Sequence, residues 1–258
     1  MNKGHLVFPE PSACAVRGPW RWPHPGVRSI FLLAVTVLLL AFPVCAQTGF
    51  PFQDETLHYS VNWPSGLSLG DAIFTARHSA EGWKLNAGVD AGIPGFAISD
   101  KFWDSVTGGL CSLELNRDIS HGTKKTREKT TFDQVNLTAH RVTVLPEGGG
   151  ETDFAIPSCG RDALAFLYYA RREMGQGHVA PPQQVYLGAA YSVRLDYKGA
   201  RDVNVGDKPT VTDYVVVNVK GPKADVSADV YFARDAARTP LLIRIPLTVG
   251  VFSIELVR

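Results

Sequence analysis

The chain has 258 residues, of which 26 are basic and 25 acidic, so its formal net charge is +1. A chain this close to neutrality has no global basic field, which excludes nucleic acid as a bulk electrostatic partner. Residues 1–46 contain four of the basic residues and one of the acidic ones, so the rest of the chain has a net charge of about −2. At 45% hydrophobic residues, the composition is that of a globular protein with a sizeable core.

The N-terminal segment has the pattern of a secretory signal peptide. A basic region precedes the continuous apolar run Ile30–Phe42, and small residues lead up to Ala46. This order predicts export to the periplasm or cell envelope with cleavage after Ala46. The run is short for a membrane span. A lipidated Cys45 and an uncleaved anchor are the alternatives that the pattern leaves open. We therefore expect residues 1–46 to be leader and signal peptide, and 47–258 to be a single β-rich domain.

Two cysteines, Cys111 and Cys159, remain after the leader is removed. An oxidising compartment favours their pairing. The disulfide would close a loop of roughly 50 residues, which the chain-entropy model values at about 4 kcal/mol. Two separate buried thiols are the alternative.

Short strands dominate the rest of the pattern. A typical run is Thr56–Trp63, in which every second residue is apolar or aromatic, as in a half-buried strand. About twelve to fifteen such runs follow one another at spacings of 8–12 residues. Gly199 and Pro246 are expected to interrupt strands in the C-terminal third. The pattern favours a mainly β fold, a highly curved antiparallel sheet or open barrel, over a parallel α/β fold.

One helix is predicted near the middle of the chain, from Ser158 to Gly175. Ser158 is a good N-cap residue, and Gly175 is suited to end the helix in a left-handed conformation. Between them, Ala163 to Ala170 is apolar almost all round, which indicates a helix buried on most sides. A single buried helix beside a curved sheet would plug or line its concave side.

The sequence contains no motif of a metal, nucleotide or nucleophile site, so we expect no cofactor, no metal and no catalytic residue. Asp100 and Asp104 fall on one face of a predicted strand. They could do acid–base chemistry on a sugar, but a solvated face explains them better. Lys125, Arg127 and Lys129 alternate on another strand. They could hold lipid phosphates or acidic polysaccharide, whereas a charged edge strand that prevents aggregation explains them at least as well.

Aromatic residues are spread over many strands and the helix. They could fill the core, or some could line an apolar cavity, the usual form of a lipid or small-molecule site. The residues that we expect to line such a cavity are Trp103, Phe166, Tyr168 and Tyr169.

The helix region also carries a recognisable motif. The stretch IPSCGRDALAFLYYARREM joins Cys-x-x-Asp to an apolar segment that ends in Tyr-Tyr-x-Arg. It resembles a family of uncharacterised exported bacterial proteins, the domain of unknown function 3108. Asp213-Tyr214 before the valine-rich strand and Arg238-Thr239-Pro240-Leu241 extend the resemblance over about residues 50–258. It implies an envelope location and a curved sheet similar to that of lipoprotein-carrier proteins, whose concave side holds acyl chains around a helix. It brings no catalytic residue.

Two functions fit these observations. The first is a non-enzymatic envelope protein that binds a lipid or other apolar ligand between helix and sheet, and that associates with the membrane at most peripherally. The second is a structural or interaction module with a filled core, which contacts another envelope protein.

Overall fold

The computed structural model describes residues 53–93, 95–222, 224–247 and 250–257. The predicted signal peptide and its cleavage after Ala46 lie outside the described residues. The strands, in chain order, are β1 (Glu55–Asn62), β2 (Ser68–His78), β3 (Gly82–Ile93), β4 (Phe96–Thr107), β5 (Ser112–His121), β6 (Lys124–Asp133), β7 (Thr138–Leu145), β8 (Glu151–Ala155), β9 (Arg161–Asp162), β10 (Gln183–Tyr186), β11 (Ala190–Val205), β12 (Lys208–Gly221), β13 (Ala224–Ala233), β14 (Pro240–Leu247) and β15 (Gly250–Leu256). One helix, α1 (Ala163–Gly175), separates β9 from β10.

The described strands form one sheet of fifteen, which confirms the predicted curved antiparallel fold. The order is β8-β7-β6-β5-β4-β3-β2-β1-β15-β14-β13-β12-β11-β10-β9. Almost all neighbours are consecutive in the chain and antiparallel, because short turns join them. There are two exceptions: β1 pairs with β15, the last strand of the chain, and β9 pairs in parallel with β10. Helix α1 supplies the crossover that a parallel pair requires.

The two ends of the sheet meet through side chains, at a boundary that we call the seam. The rings of Phe154 on β8 and Tyr186 on β10 stack at 5.1 Å. The Tyr186 hydroxyl donates to the carbonyl oxygen of Ala155 at 3.2 Å, and the Arg141 guanidinium donates to the carbonyl oxygen of Gly188. Among the described strands, no backbone ladder joins β8 to β9 or β10. The barrel is therefore closed by side chains and not by a continuous ladder.

The helix begins at Ala163, so the prediction that Ser158 caps it is wrong. Asp162 is the N-cap, and its Oδ1 accepts from the backbone N–H groups of Leu164 at 2.8 Å and Ala165 at 3.0 Å. The helix cannot start earlier, because Arg161 and Asp162 are part of the sheet as strand β9. At the other end Gly175 is still helical, and Gly177, with φ 83°, adopts the left-handed conformation expected of Gly175.

The disulfide between Cys111 and Cys159 is present, with 4.7 Å between the Cα atoms. It joins the turn before β5 to the segment that leads into β9. The backbone N–H of Ser112, the first residue of β5, donates to the carbonyl oxygen of Gly160 at 3.0 Å. Disulfide and hydrogen bond together fix the position from which α1 starts.

Two expected strand breaks are absent. Strand β11 continues through Gly199, where a bulge shifts the register with β12 and takes up the irregularity. Strand β14 continues through Pro246, which pairs with Val251 of β15. The ladder between β14 and β13 already ends at Arg244, so the missing N–H of Pro246 interrupts no hydrogen bond on that side.

Helix α1 packs between two walls of the curled sheet. Phe166, Ala170 and Met174 contact an apolar cluster of β10–β14. Leu164, Ala165 and Tyr168 contact a second cluster, formed mainly by β2–β4. We call the sheet face that points towards α1 the inner face, and the opposite one the outer face. The helix thus divides the interior in two.

Candidate apolar ligand site

A cavity of about 400 Å³, the large hollow, lies between α1 and β10–β14. All its lining residues have apolar side chains except one tyrosine. The lining residues are Ala163, Phe166, Leu167, Ala170, Val185, Leu187, Tyr191, Val193, Leu195, Val217, Val219, Ala228, Val230, Phe232 and Ile243. With so few groups to hold water, such a space favours an apolar occupant.

A smaller cavity of about 180 Å³, the small hollow, lies on the other side of the helix, against β2–β5. Phe74, Val89, Phe102 and Leu115 contribute to its wall. Ala163, Leu167 and Leu187 line both hollows. These shared residues place the two hollows side by side, with the side chain of Leu167 between them.

The large hollow follows from the residue types that face each other across it. Alternation along β12 turns Val217 and Val219 inwards, and Ala163 and Ala170 lie opposite on the helix. Valine and alanine are short, so they leave a gap that leucine or phenylalanine would fill. Protein interiors are normally packed without such gaps. The cavity is therefore a property of the chosen side chains and not of the backbone alone.

Of the four residues that we expected to line a cavity, Phe166 lies in the wall of the large hollow. Tyr168 is fully buried elsewhere, with the Arg171 guanidinium 4.9 Å from its ring centroid, and burial raises the pKa of its hydroxyl. Tyr169 packs under Arg161, whose guanidinium carbon lies 3.7 Å from the ring centroid. The helix thus brings one of its three predicted aromatics to the large hollow.

Trp103 requires a correction. Its side chain is 44% exposed on the outer face, and it lines neither hollow. Its neighbour Phe102 lines the small hollow instead. Asp104 and Val106 lie two and four positions after Phe102, so their side chains point to the same face of β4. Both are buried. The alternation of buried residues along β4 therefore identifies Phe102, and not Trp103, as the inward-facing aromatic residue.

The inner-face carboxyls do not form a hydrolytic pair. Oδ1 of Asp100 is hydrogen-bonded to Nε2 of His121 at 2.9 Å. Asp104 is 3% exposed, and the described residues offer its carboxyl oxygens no donor group. Burial, and then the negative charge of the nearby Asp162 and a side-chain hydrogen bond with it, raise the pKa of Asp104 well above its usual value. Burial therefore favours the neutral form of Asp104, which can donate to the Asp162 carboxylate.

The basic strand is not an edge strand, so that explanation of its charges is wrong. Strand β6 pairs with β5 on one side and β7 on the other. Arg127 pairs with Asp118 at 2.6 Å, and Lys129 pairs with Glu114 at 2.8 Å. Cross-strand acids thus neutralise two of the cations on the outer face.

The described residues contain no group of three or more His, Cys, Asp or Glu side chains that could hold a metal ion. No helix in the described part of the chain is long and apolar enough to cross a membrane.

Fold and interior together define a class of protein, in which a curled antiparallel sheet wraps one helix and encloses apolar space. A family model described as "Protein of unknown function (DUF3108)" matches residues 58–257, and the chain belongs to this family. Its fold is similar to the crystal structure of a β-barrel-like protein of domain of unknown function DUF1849 from Brucella abortus, with a TM-score of 0.59 and 8% identity. The match covers 80% of this chain and 96% of that one. No curated protein matches the chain in sequence.

Proposed function

We propose that the protein is a non-enzymatic component of the cell envelope that binds a lipid or another apolar ligand between α1 and the curled sheet. The observation that carries this proposal is the large hollow, a cavity of about 400 Å³ with an almost wholly apolar lining. Its volume lies within the range of about 300–1,000 Å³ that is typical of small-molecule sites.

The energetics favour a flexible alkyl chain over a polar ligand. Each buried methylene group contributes about 0.8 kcal/mol, so about ten of them would contribute about 8 kcal/mol before the entropic costs of binding. A polar ligand would lose its hydrogen bonds to water and find almost no replacement in this lining. The adjoining small hollow offers further apolar surface to a chain that passes Leu167.

The envelope location rests on the sequence of residues 1–46, which has the order of regions found in secretory signal peptides. The disulfide agrees with an oxidising compartment. Fractionation of cells that express the full-length chain, with mass determination of the mature protein, tests the location and the cleavage site after Ala46.

The alternative is an envelope interaction module with a filled core. It requires an interior without usable space, whereas two apolar hollows lie beside α1. Apolar-ligand binding is therefore the function that the geometry supports best.

Native mass spectrometry after gentle purification tests the proposal directly. We expect a species heavier than the mature chain by the mass of one apolar molecule, which solvent extraction removes. The extracted protein should then take up the neutral fluorescent dye N-phenylnaphthylamine at a saturable site. A ligand-free protein that takes up no dye would contradict the proposal.

A further inference from the structure

The two hollows meet a polar cluster at the seam. Leu187 lines both hollows, and Gly188 follows it in the chain. The Arg141 guanidinium donates to the carbonyl oxygen of Gly188. At the same glycine, an added Cβ would collide with Nη1 of Arg117. Two guanidinium groups therefore lie close to the residue next to the apolar space.

Arg117 lies beside the wall of the small hollow as well as at the seam. It lies two positions after Leu115 on β5, so both side chains point to the inner face. Its cross-strand partner is Phe102. Both Leu115 and Phe102 line the small hollow, so Arg117 is the strand neighbour of two of its lining residues.

The charges in this cluster do not balance. Arg117 pairs through Nη1 with Glu128 at 2.6 Å, and its side chain is only 17% exposed. Its Nε is buried without a hydrogen-bond partner. Arg141 has no carboxylate partner among the described residues. The cluster thus holds two cations and one carboxylate beside apolar space, an arrangement that favours an additional anion.

Gly188 allows the close approach of Arg117. Its φ of 70° is a conformation that side chains with a Cβ rarely adopt. A Cβ at this position would also collide with Nη1 of Arg117. Glycine at this position therefore lets the Arg117 guanidinium lie against the backbone next to the apolar space.

We propose that the ligand is an anionic amphiphile, whose alkyl chain occupies the hollows and whose carboxylate or phosphate group binds Arg117 and Arg141 at the seam. This inference rests on the proposed function, because it assumes that an alkyl chain enters the hollows. Guanidinium groups suit both head groups, since they bind the oxygens of carboxylates and phosphates in pairs.

The test compares three amphiphiles with the same chain, namely dodecanoic acid, dodecyl phosphate and dodecanol. Each is titrated against bound N-phenylnaphthylamine at about pH 8, where a carboxylic acid is ionised. We expect at least one anion to displace the dye at a concentration about tenfold lower than dodecanol does, as charged hydrogen bonds would give. The anion that binds more tightly identifies the head group.

Variants then assign the effect to the seam. In Arg141→Gln, and in the double variant Arg117→Gln/Glu128→Gln, the anions should lose most of their advantage while dodecanol binding changes by less than about twofold. The double variant avoids leaving Glu128 without its partner. The matched control is Arg194→Gln, an exposed arginine that pairs with Asp196, which should behave as the native protein does.

The outcomes separate the two proposals. Equal displacement by all three amphiphiles would overturn the head-group site and leave apolar binding intact, as would an anion advantage that persists in both seam variants. If neither the dye nor any amphiphile binds, the proposed function fails and this inference fails with it.

Discussion

Arg171, in the last half of α1, forms a two-pronged ion pair with Glu55 at the start of β1. Its Nη1 lies 2.5 Å from Oε1, and its Nη2 lies 3.0 Å from Oε2. Its Nε donates to the carbonyl oxygen of Ala237 at 3.1 Å, in the loop between β13 and β14. With 1% of its side chain exposed, Arg171 ties the helix to two distant parts of the sheet.

Removing the acid of this pair should destabilise the fold strongly. We expect Glu55→Ala to lower the free energy of unfolding by about 3–5 kcal/mol, because it leaves the buried guanidinium without its counter-charge. Urea titration measures the change. The control is Asp118→Ala, which removes the partner of Arg127 in an exposed pair and should cost less than about 1 kcal/mol. If both variants lose a similar free energy of unfolding, the buried Arg171–Glu55 pair contributes no more to stability than an exposed pair does.

The buried acid Asp104 should make stability depend on pH. Its pKa is raised in the folded protein, so its contribution is fully present below the pKa of the unfolded chain, about 4. The contribution is lost progressively as the pH rises towards the folded pKa. In Asp104→Asn this loss is absent, so the variant should gain stability relative to the native protein between about pH 4 and neutrality. Urea titrations at several pH values measure the difference, and parallel curves would contradict the expectation.

The disulfide should contribute appreciably to stability. Cys111 and Cys159 are 48 residues apart, and replacing both by alanine should lower the free energy of unfolding by about 2–4 kcal/mol. Reductant should have a similar effect on the native protein and none on the double variant. If reductant leaves the free energy of unfolding of the native protein unchanged, the disulfide does not stabilise the fold by restricting the unfolded chain.

Neighbouring aromatics on β4 should differ sharply in importance. Phe102→Ala removes a wall of the small hollow and should cost about 3 kcal/mol. Trp103→Ala, on the exposed outer face, should change stability by less than about 1 kcal/mol. Thermal or urea unfolding compares the two variants. A larger loss of stability in Trp103→Ala than in Phe102→Ala would contradict the assignment of Phe102 to the inner face.

Local patterns predicted most of the fold, because alternation and turn residues act over a few positions. The start of α1 was missed since Ser158 is a good cap in isolation, whereas the sheet pulls Arg161 and Asp162 into β9. The choice of Trp103 over Phe102 failed for a related reason. Both residues are aromatic, and only the burial of Asp104 and Val106 reveals which alternate side chains of β4 point towards the helix.

The seam and the charge cluster could not be predicted from local patterns. Arg117, Arg141 and Gly188 come from three separate segments that meet only when the sheet curls on itself. The position of β6 inside the sheet is equally non-local, and it overturned the edge-strand explanation. The valines of β12 favour a strand by composition, but their role as a cavity wall depends on the alanines of α1 that face them.

The most direct test of the central claim is to fill the large hollow. Ala228 lines it, and Ala228→Phe should abolish saturable N-phenylnaphthylamine binding, or weaken it at least about tenfold, while far-ultraviolet circular dichroism stays native. Ala200→Phe, at an exposed position of β11, is the matched control and should bind the dye as the native protein does. Undiminished dye binding by a folded Ala228→Phe variant would contradict the claim that the ligand occupies the space between helix and sheet.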